Sequence, residues 1–285
     1  MDRPGPHRSP NRITLAAYAH PEREPFVKGQ RMRLTVVGCS GSYPGPDSPA
    51  SCYLLEADHE GRTWRVLLDL GNGALGVLQR FADPLTIDAV FLSHLHADHC
   101  LDLCGYHVMR KYHPSGHQPR IPVWGPIGTA ERMAKAYDLP LDPGMSEEFD
   151  FRVWGEPVRI GPFTVEAVPV DHPVPAFSLR VTWQDKVLAY TGDCGPCDGV
   201  REAALGADLL LAEASFEEGA DNPANLHLTG QECADLATVA GAPRLVLTHI
   251  PPWHDPQVVL KEARAAYDGE LSLARTGAVY DFSTF

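Results

Sequence analysis

The stretch Ser93-His94-Leu95-His96-Ala97-Asp98-His99 holds four potential metal ligands within six residues. It follows an apolar segment of strand length and precedes a helical pattern. In an extended segment, residues i and i+2 project to the same side, so His94 and His96 are expected to bind one ion. The turn into the helix directs Asp98 and His99 toward a neighbouring position. The stretch therefore predicts a site for two metal ions about 3.5 to 4 Å apart.

Three further candidate ligands stand where predicted strands end. His172, Asp193 and His249 each follow a segment of strand character. Strand ends converge at one edge of a sheet, so these side chains are expected to join the first four. A lone His or Asp at such a place is more often structural, and the prediction depends on all three occurring together.

Short apolar segments recur from residue 32 onward, closely spaced at first and later alternating with helical patterns. This order predicts an α/β protein with two sheets packed face to face and helices outside. No interior linker marks a second domain, so we expect one domain over 31–285 after a poorly ordered tail over 1–30. The predicted strands are 34–37, 52–55, 66–69, 89–92, 163–165, 177–181, 187–190, 209–212 and 245–247, and the predicted helices are 74–82, 100–113, 126–137, 198–205, 229–240 and 256–267.

The composition narrows the functional class. The 285 residues include 24 Lys and Arg against 37 Asp and Glu, a formal net charge of −13 that argues against a simple binder of long nucleic acid. No apolar stretch approaches the roughly 20 residues of a bilayer span, and the apolar part before Ala17-Tyr18-Ala19 is too short for a secretory signal. Seven Cys, an odd number, favour a reducing compartment. We therefore expect a cytoplasmic protein without a membrane partner.

The order of these motifs resembles that of the metallo-β-lactamase-fold hydrolases, from Met32 nearly to the C-terminus. The resemblance implies an αββα sandwich with two divalent metal ions in a groove at its edge. Mixed His and carboxylate ligands suit Zn, Mn and Fe, and Zn is the first expectation. The implied ligands are His94, His96 and His172 for the first ion and Asp98, His99 and His249 for the second, with the Asp193 carboxylate bridging both.

Three other residues receive roles from the resemblance. Asp69 is similar to a buried Asp of the family that orients ligands, and its alternative is a turn residue at a strand end. His227 resembles the His of the His-Ser/Thr element in ribonuclease Z and its phosphodiesterase relatives, which protonates the leaving oxygen or steadies the phosphate. Its alternative is a polar residue at a helix entry. Glu213 resembles the acidic residue that supports this His, and its alternative is a plain ion pair.

The resemblance also separates branches of the family. A bridging Asp193 argues against β-lactamase activity, because the lactamase branches lack it. Ribonuclease Z carries a long arm between the positions matching His172 and Asp193, which are only 21 residues apart in this chain. With the net charge, the short interval favours a small substrate. The flanking segments 38–42, 95–103 and 247–253 look like those of actinobacterial cyclic-nucleotide phosphodiesterases, which implies hydrolysis of cyclic AMP or a related cyclic nucleotide to the 5′-monophosphate.

The expected chemistry is hydrolysis of a phosphodiester. Two divalent ions make hydroxide available from a bridging water near neutral pH, and Asp98 accepts a hydrogen bond from that nucleophile. His227 then protonates the departing ribose oxygen. A ribonuclease Z-like endoribonuclease and a broad-specificity phosphodiesterase remain alternatives, and a homodimer remains an open oligomeric state.

Several remaining residues have more than one interpretation, which concerns either the functional class of the protein or the lining of its pocket. Cys194-Gly195-Pro196-Cys197 matches a thioredoxin-type motif and offers a redox or sensing protein as the alternative from another class. Trp253 and His254 either line the pocket beside a base or pack against a turn. We expect His107, His113 and His117 at the surface rather than among the ligands.

Overall fold

The first of two sheets begins as an antiparallel meander and continues with parallel strands. The computed structural model describes residues 31–284, so the tail predicted over 1–30 lies outside the described residues. Glu60 and Gly61, both with positive φ, form the tight turn of the meander. In spatial order the strands are β14 (Val279–Asp281), β1 (Met32–Gly38), β2 (Cys52–His59), β3 (Arg62–Leu68), β4 (Ala89–Phe91), β5 (Ile121–Gly125) and β6 (Phe149–Val153).

The second sheet repeats this plan. Its early strands pair antiparallel and its later strands pair parallel. Parallel neighbours bring their carboxyl ends to one edge of the sheet, which is where ligand sites form in α/β folds. In spatial order the strands are β13 (Glu270–Leu273), β12 (Arg244–Thr248), β11 (Leu209–Glu213), β10 (Lys186–Tyr190), β9 (Ala176–Trp183), β8 (Phe163–Val170) and β7 (Val158–Ile160).

Apolar side chains from both sheets meet in one buried core, in which Tyr53 and Phe91 of the first sheet join Leu179 and Leu211 of the second. Burying a side chain of this size contributes about 1.5 to 3 kcal/mol. Seven α-helices within residues 31–284 cover the outer faces through two further apolar clusters. The first sheet carries α1 (Ala74–Leu78), α2 (Ala97–Cys100), α3 (Leu103–Tyr112) and α4 (Thr129–Ala136), and the second carries α5 (Asp198–Ala204), α6 (Gly230–Ala240) and α7 (Pro256–Ala266).

The four layers confirm the predicted αββα sandwich. Thr229 caps α6 with the capping box that the sequence indicated, and Gly241 ends this helix in the left-handed region. Among residues 31–284, none of the helices is both long and apolar enough to cross a membrane.

Five strands of the structure were not predicted from the sequence pattern. In β5, Pro122 interrupts the apolar segment, and β6 exposes Arg152 and Val153. The others, β7, β13 and β14, contain three or four residues each, at or near a sheet edge.

Three helices are clearly shorter than predicted, and one of them is α4, which covers Thr129–Ala136 within the predicted range 126–137. The pattern over 100–113 belongs to α2 and α3, which are separate helices. Between them the Asp102 backbone N–H donates to the Leu70 carbonyl at 3.2 Å, outside the helix, and the Asp102 carboxylate accepts the N–H of Leu75 at 2.7 Å. The pattern over 74–82 is helical only as far as Leu78.

The expectation that His107 lies at the surface is wrong. Its exposed fraction is 2%, and its Nδ1 lies 2.7 Å from Oε2 of the buried Glu148. Pairing with a carboxylate lets the imidazole stay inside the fold. His117, whose side chain is 52% exposed, reaches the other oxygen of the same carboxylate.

Candidate metal centre

A first ligand cluster lies at the carboxyl ends of β4, β8 and β10, and we call it the open cluster because two of its imidazoles are partly exposed. His96 Nδ1 lies 3.0 Å from His94 Nε2 and 3.2 Å from His172 Nε2. Asp193 Oδ2 lies 3.6 Å from His94 Nε2. Three ring nitrogens that face one another cannot all be satisfied by shared protons, whereas one cation accepts a lone pair from each.

A second cluster, the buried cluster, contains Asp98, His99, Asp193 and His249, all of them buried. His249 Nε2 lies 3.0 Å from Asp98 Oδ2 and 3.1 Å from His99 Nε2. Asp193 Oδ1 lies 3.2 Å from His99 Nε2. The structure thus brings all seven candidate ligands named from the sequence to one edge of the sandwich.

Asp193 belongs to both clusters, with one carboxylate oxygen directed to each. Among the described residues, its buried Oδ1 has no hydrogen bond of acceptable geometry. An unsatisfied buried carboxylate oxygen is costly unless a cation neutralises it. Nitrogen and carboxylate donors in this arrangement fit a pair of divalent ions such as Zn, Mn or Fe.

The imidazoles are oriented by hydrogen bonds at the ring nitrogen opposite the cluster. A donated Nδ1 proton leaves the Nε2 lone pair free for a metal ion. His96 differs, because its Nδ1 is the atom that faces the cluster. The Nδ1 groups donate from His94 to Ser93 Oγ (3.1 Å), from His99 to Asp69 Oδ2 (2.7 Å), from His172 to the Leu226 carbonyl (3.1 Å) and from His249 to Ser215 Oγ (2.9 Å).

Asp69 is completely buried and organises the region around His99. The Ser93 backbone N–H donates to its Oδ1 at 2.7 Å, and the Tyr190 hydroxyl donates to its Oδ2 at 2.8 Å. Gly71, two residues later, packs so tightly that a Cβ there would lie 2.0 Å from the Asp98 carbonyl oxygen. This close approach holds the ligand loop against the end of β3.

Ser215 is a residue of the candidate site that the sequence interpretation missed. Its hydroxyl donates to Glu213 Oε2 at 2.8 Å and accepts from His249 Nδ1, so it connects the end of β11 to a candidate ligand. The available signal was its position two residues after Glu213, which places both side chains on one side of an extended segment. Serine is common in loops, and this spacing alone did not distinguish it.

Glu213 holds His227 beside both clusters. Glu213 is completely buried and accepts from His227 Nδ1 at 2.9 Å. The His227 ring centroid lies 5.7 Å from that of His172 and 5.8 Å from that of His249. Burial disfavours the charged imidazole, but the Glu213 carboxylate outweighs it and raises the pKa of His227 to about 9. Glu213 thus favours the protonated imidazole, whose side chain is 13% exposed.

The Cys-Gly-Pro-Cys segment supports this arrangement through its backbone. The Cys194 N–H donates to Glu213 Oε1 at 3.1 Å, and a Cβ at Gly195 would lie 2.4 Å from Asn225 Cα. Both cysteines are free thiols. Cys194 is completely buried, and burial, followed by the charge of Glu213, raises the pKa of its thiol well above the ordinary range. Reactive redox cysteines have the opposite environment, partly exposed with a lowered pKa.

Two exposed aromatic rings lie at the rim of the candidate metal centre. Trp253 is 60% exposed and Tyr43 is 44% exposed, with ring centroids 5.3 Å apart. Their loops are joined where the Gly41 N–H donates to the Ile250 carbonyl, next to His249. The other rim residue named from the sequence, His254, donates from Nδ1 to Glu217 at 2.8 Å.

Comparison with known proteins identifies the family. The model of the β-lactamase superfamily domain matches residues 64–250, which include all seven candidate ligands. The chain belongs to the β-lactamase superfamily. The metallo-β-lactamase fold implies divalent metal ions, and the two His and Asp clusters are the candidate ligands for them. The protein is accordingly a metal-dependent hydrolase of this superfamily.

Three relatives illustrate the range of the family. The chain is 47% identical over 246 residues to the uncharacterised protein Rv1339 of Mycobacterium tuberculosis, covering 84% of this chain and 88% of that protein. It is 28% identical over 252 residues to the probable metallo-hydrolase YhfI of Bacillus subtilis, covering 88% and 100%. The crystal structure of YhfI superposes with a TM-score of 0.78, covering 88% of this chain and 99% of YhfI. Ribonuclease Z of Myxococcus xanthus is 27% identical over 304 aligned positions, covering 86% and 96%.

Proposed function

We propose that the protein is a dinuclear metal-dependent phosphodiesterase that hydrolyses cyclic AMP or a related cyclic nucleotide to the 5′-monophosphate. The observation that carries the proposal is His227, held by Glu213 beside two ligand clusters that share Asp193. In this proposal each cluster binds one divalent ion, with Zn as the first expectation and Mn or Fe as alternatives.

Ions held by the two clusters would supply an activated water and would neutralise the charge on the phosphate oxygens. The chain supplies the proton transfers and the orientation. Asp98 accepts a hydrogen bond from the attacking water as well as binding metal. His227 keeps its Nδ1 on Glu213, which leaves its Nε2–H for the ribose oxygen that departs from phosphorus. Glu213 is a positioning residue, since it acts through His227.

The short segment between His172 and Asp193 favours a small substrate. It contains β9, β10 and their connections, with no protruding arm. The alignment with ribonuclease Z of Myxococcus xanthus spans 304 positions, more than the 285 residues of this chain, so that relative carries segments that this chain lacks. A formal net charge of −13 also penalises binding of a long polyanion.

Tyr43 and Trp253 favour a substrate with a base. Their exposed rings lie on loops that join beside His249. Stacking of a base on an aromatic side chain contributes about 1 to 3 kcal/mol. A cyclic nucleotide matches a site with a phosphate position at the clusters and an aromatic surface at the rim.

The test compares two leaving groups. Wild type and His227→Ala are assayed on cyclic AMP and on bis-p-nitrophenyl phosphate, whose phenolate departs without protonation. Loss of a general acid is expected to reduce turnover of cyclic AMP by about 10² to 10⁴-fold and of the phenyl ester far less. The metal content of the variant is expected to stay at the wild-type value.

A substrate panel completes the test. Cyclic GMP, 2′,3′-cyclic nucleotides and precursor tRNA are assayed with wild type and with Asp193→Ala. Cleavage of precursor tRNA alone would overturn the cyclic-nucleotide assignment. An equal loss on both leaving groups in His227→Ala would overturn the role of His227.

A further inference from the structure

A separate groove of about 610 Å³ lies at the opposite edge of the first sheet. Arg62 begins β3, Asp88 precedes β4 and Ile121 begins β5, so the groove is formed at the amino ends of these strands. The candidate ligands of the first sheet, residues 94 to 99, follow the carboxyl end of β4, and the other three follow strands of the second sheet. This groove therefore does not share residues with the metal centre.

The lining of the groove is strongly basic for a chain of net charge −13. Four arginines line it, Arg62, Arg65, Arg110 and Arg120, whereas Asp88 is its one acidic lining residue. Arg62 Nη1 lies 2.8 Å from Asp88 Oδ1. Arg65 Nε is also paired, with Glu56 Oε1 at 2.9 Å, and Arg120 Nη2 lies 4.0 Å from Asp150 Oδ1. The uncompensated positive charge of the groove is therefore that of Arg110, next to a weakly paired Arg120.

The most informative of these arginines is Arg110. Its exposed fraction is 2%, and none of the carboxylates between residues 31 and 284 forms an ion pair with it. Its guanidinium donates to the Pro119 carbonyl and to the Tyr106 hydroxyl, while its Nε has no hydrogen-bond partner. A buried charge without a counter-charge is costly. An anion in the groove would supply the missing counter-charge.

The exposed arginines are placed to contact such an anion directly. The side chains of Arg62 and Arg120 are 49% and 55% exposed, and Arg120 Nη2 lies a full 4.0 Å from its nearest carboxylate, that of Asp150. Guanidinium groups bind phosphate through two parallel hydrogen bonds. Leu85, Ile87 and Ile121 add apolar surface. The volume is within the roughly 300 to 1,000 Å³ typical of small-molecule sites.

We propose that this groove is a binding site for a phosphorylated small molecule, separate from the metal centre. The phosphate groups lie against Arg62 and Arg120 with Arg110 behind them, and the organic part lies on the apolar lining. The proposal does not depend on the substrate of the metal centre.

Calorimetric titration of the metal-loaded full-length protein with ADP tests the proposal. The double variant Arg62→Ala, Arg120→Ala is used because both side chains are exposed and their removal leaves Arg110 and the core in place. The matched control is Arg201→Ala, which removes an exposed arginine paired with Asp198 on α5. Hydrolysis of bis-p-nitrophenyl phosphate is measured for all proteins without ADP.

Wild type and Arg201→Ala are expected to bind ADP equally, and the double variant is expected to bind it at least about tenfold more weakly, since each lost guanidinium removes charged hydrogen bonds. Hydrolysis is expected to be the same in all three proteins. Equal ADP affinity in the double variant and the wild type would place ADP at the metal centre and overturn the proposal. A wild type that does not bind ADP would overturn it as well.

Discussion

The open and buried clusters share one carboxylate but differ in how their imidazoles are held. In the buried cluster, His99 donates to the Asp69 carboxylate and His249 to the Ser215 hydroxyl, and both rings are buried. In the open cluster, His172 donates to a backbone carbonyl, and both His172 and His96 are partly exposed. With an ion in each cluster, this difference predicts that the buried position holds its ion more tightly and that the open position is the one that water and substrate reach.

The largest expected effect comes from removing what the clusters share. Asp193→Ala deletes a ligand from both positions, so metal content is expected to fall at both. Turnover is expected to fall by more than the roughly 10 to 100-fold that loss of an outer hydrogen-bond partner costs. Mass spectrometric metal analysis and turnover of bis-p-nitrophenyl phosphate measure these effects. Asp198→Ala, an exposed carboxylate on α5, is the control. Two retained ions per chain in Asp193→Ala would contradict the shared ligand.

A matched pair of variants breaks one cluster at a time. His172→Ala is expected to lose the ion of the open cluster and keep the other. His249→Ala is expected to lose the ion of the buried cluster and to unfold at a lower temperature, because it also removes the partner of Ser215. Metal content after gel filtration and thermal unfolding measure both effects. If His172→Ala unfolds at a lower temperature than His249→Ala, the burial of a cluster does not determine how tightly its ion is held.

A smaller effect is expected from the partner of a ligand. Asp69→Asn keeps the shape of the side chain but turns an amide NH₂ toward groups that donate to Asp69, which include His99 and Tyr190. Zn affinity of the buried cluster is expected to fall about 10 to 100-fold. Competition with a fluorescent chelator measures it. The open cluster is the internal control, and an equal fall at both positions would show that Asp69 acts on the fold as a whole.

The smallest effect is expected from the thiols that follow the shared ligand. The double variant Cys194→Ala, Cys197→Ala is expected to keep its metal content and turnover, because the backbone N–H of Cys194, and not its Sγ, contacts Glu213. Turnover is measured before and after exposure to an oxidant. A wild type inactivated reversibly by the oxidant, beside a resistant variant, would revive the redox interpretation.

The sequence predicted the sandwich and the residues that meet at its edge for a physical reason. The candidate ligands lie in four loops at the carboxyl ends of β4, β8, β10 and β12, and parallel strands bring such ends together. Strands with continuous apolar segments, such as β11, were visible, whereas β5 with its Pro122 was not. Strands are predicted from the alternation of apolar and polar residues or from the length of an apolar segment. Edge strands and interrupted strands lack both features.

The sequence pattern did not predict contacts between elements that are distant along the chain. His107 looked like a surface residue because its buried partner, Glu148, lies on another element. Ser215 looked like a loop serine because its hydrogen bond to His249 exists only after β11 and β12 pair. Periodicity describes which face a residue occupies and leaves the identity of its partner to the tertiary fold.

The placement of the ligands on both sheets has a thermodynamic consequence. Residues 94 to 99 follow a strand of the first sheet, and His172, Asp193 and His249 follow strands of the second. Ions bound here are cross-links between the two halves of the sandwich, and the unfolded chain cannot bind them in the same way. Free metal at a thousand times its dissociation constant adds about 4 kcal/mol to folding stability. We therefore expect the thermal stability of the protein to rise with the concentration of free metal.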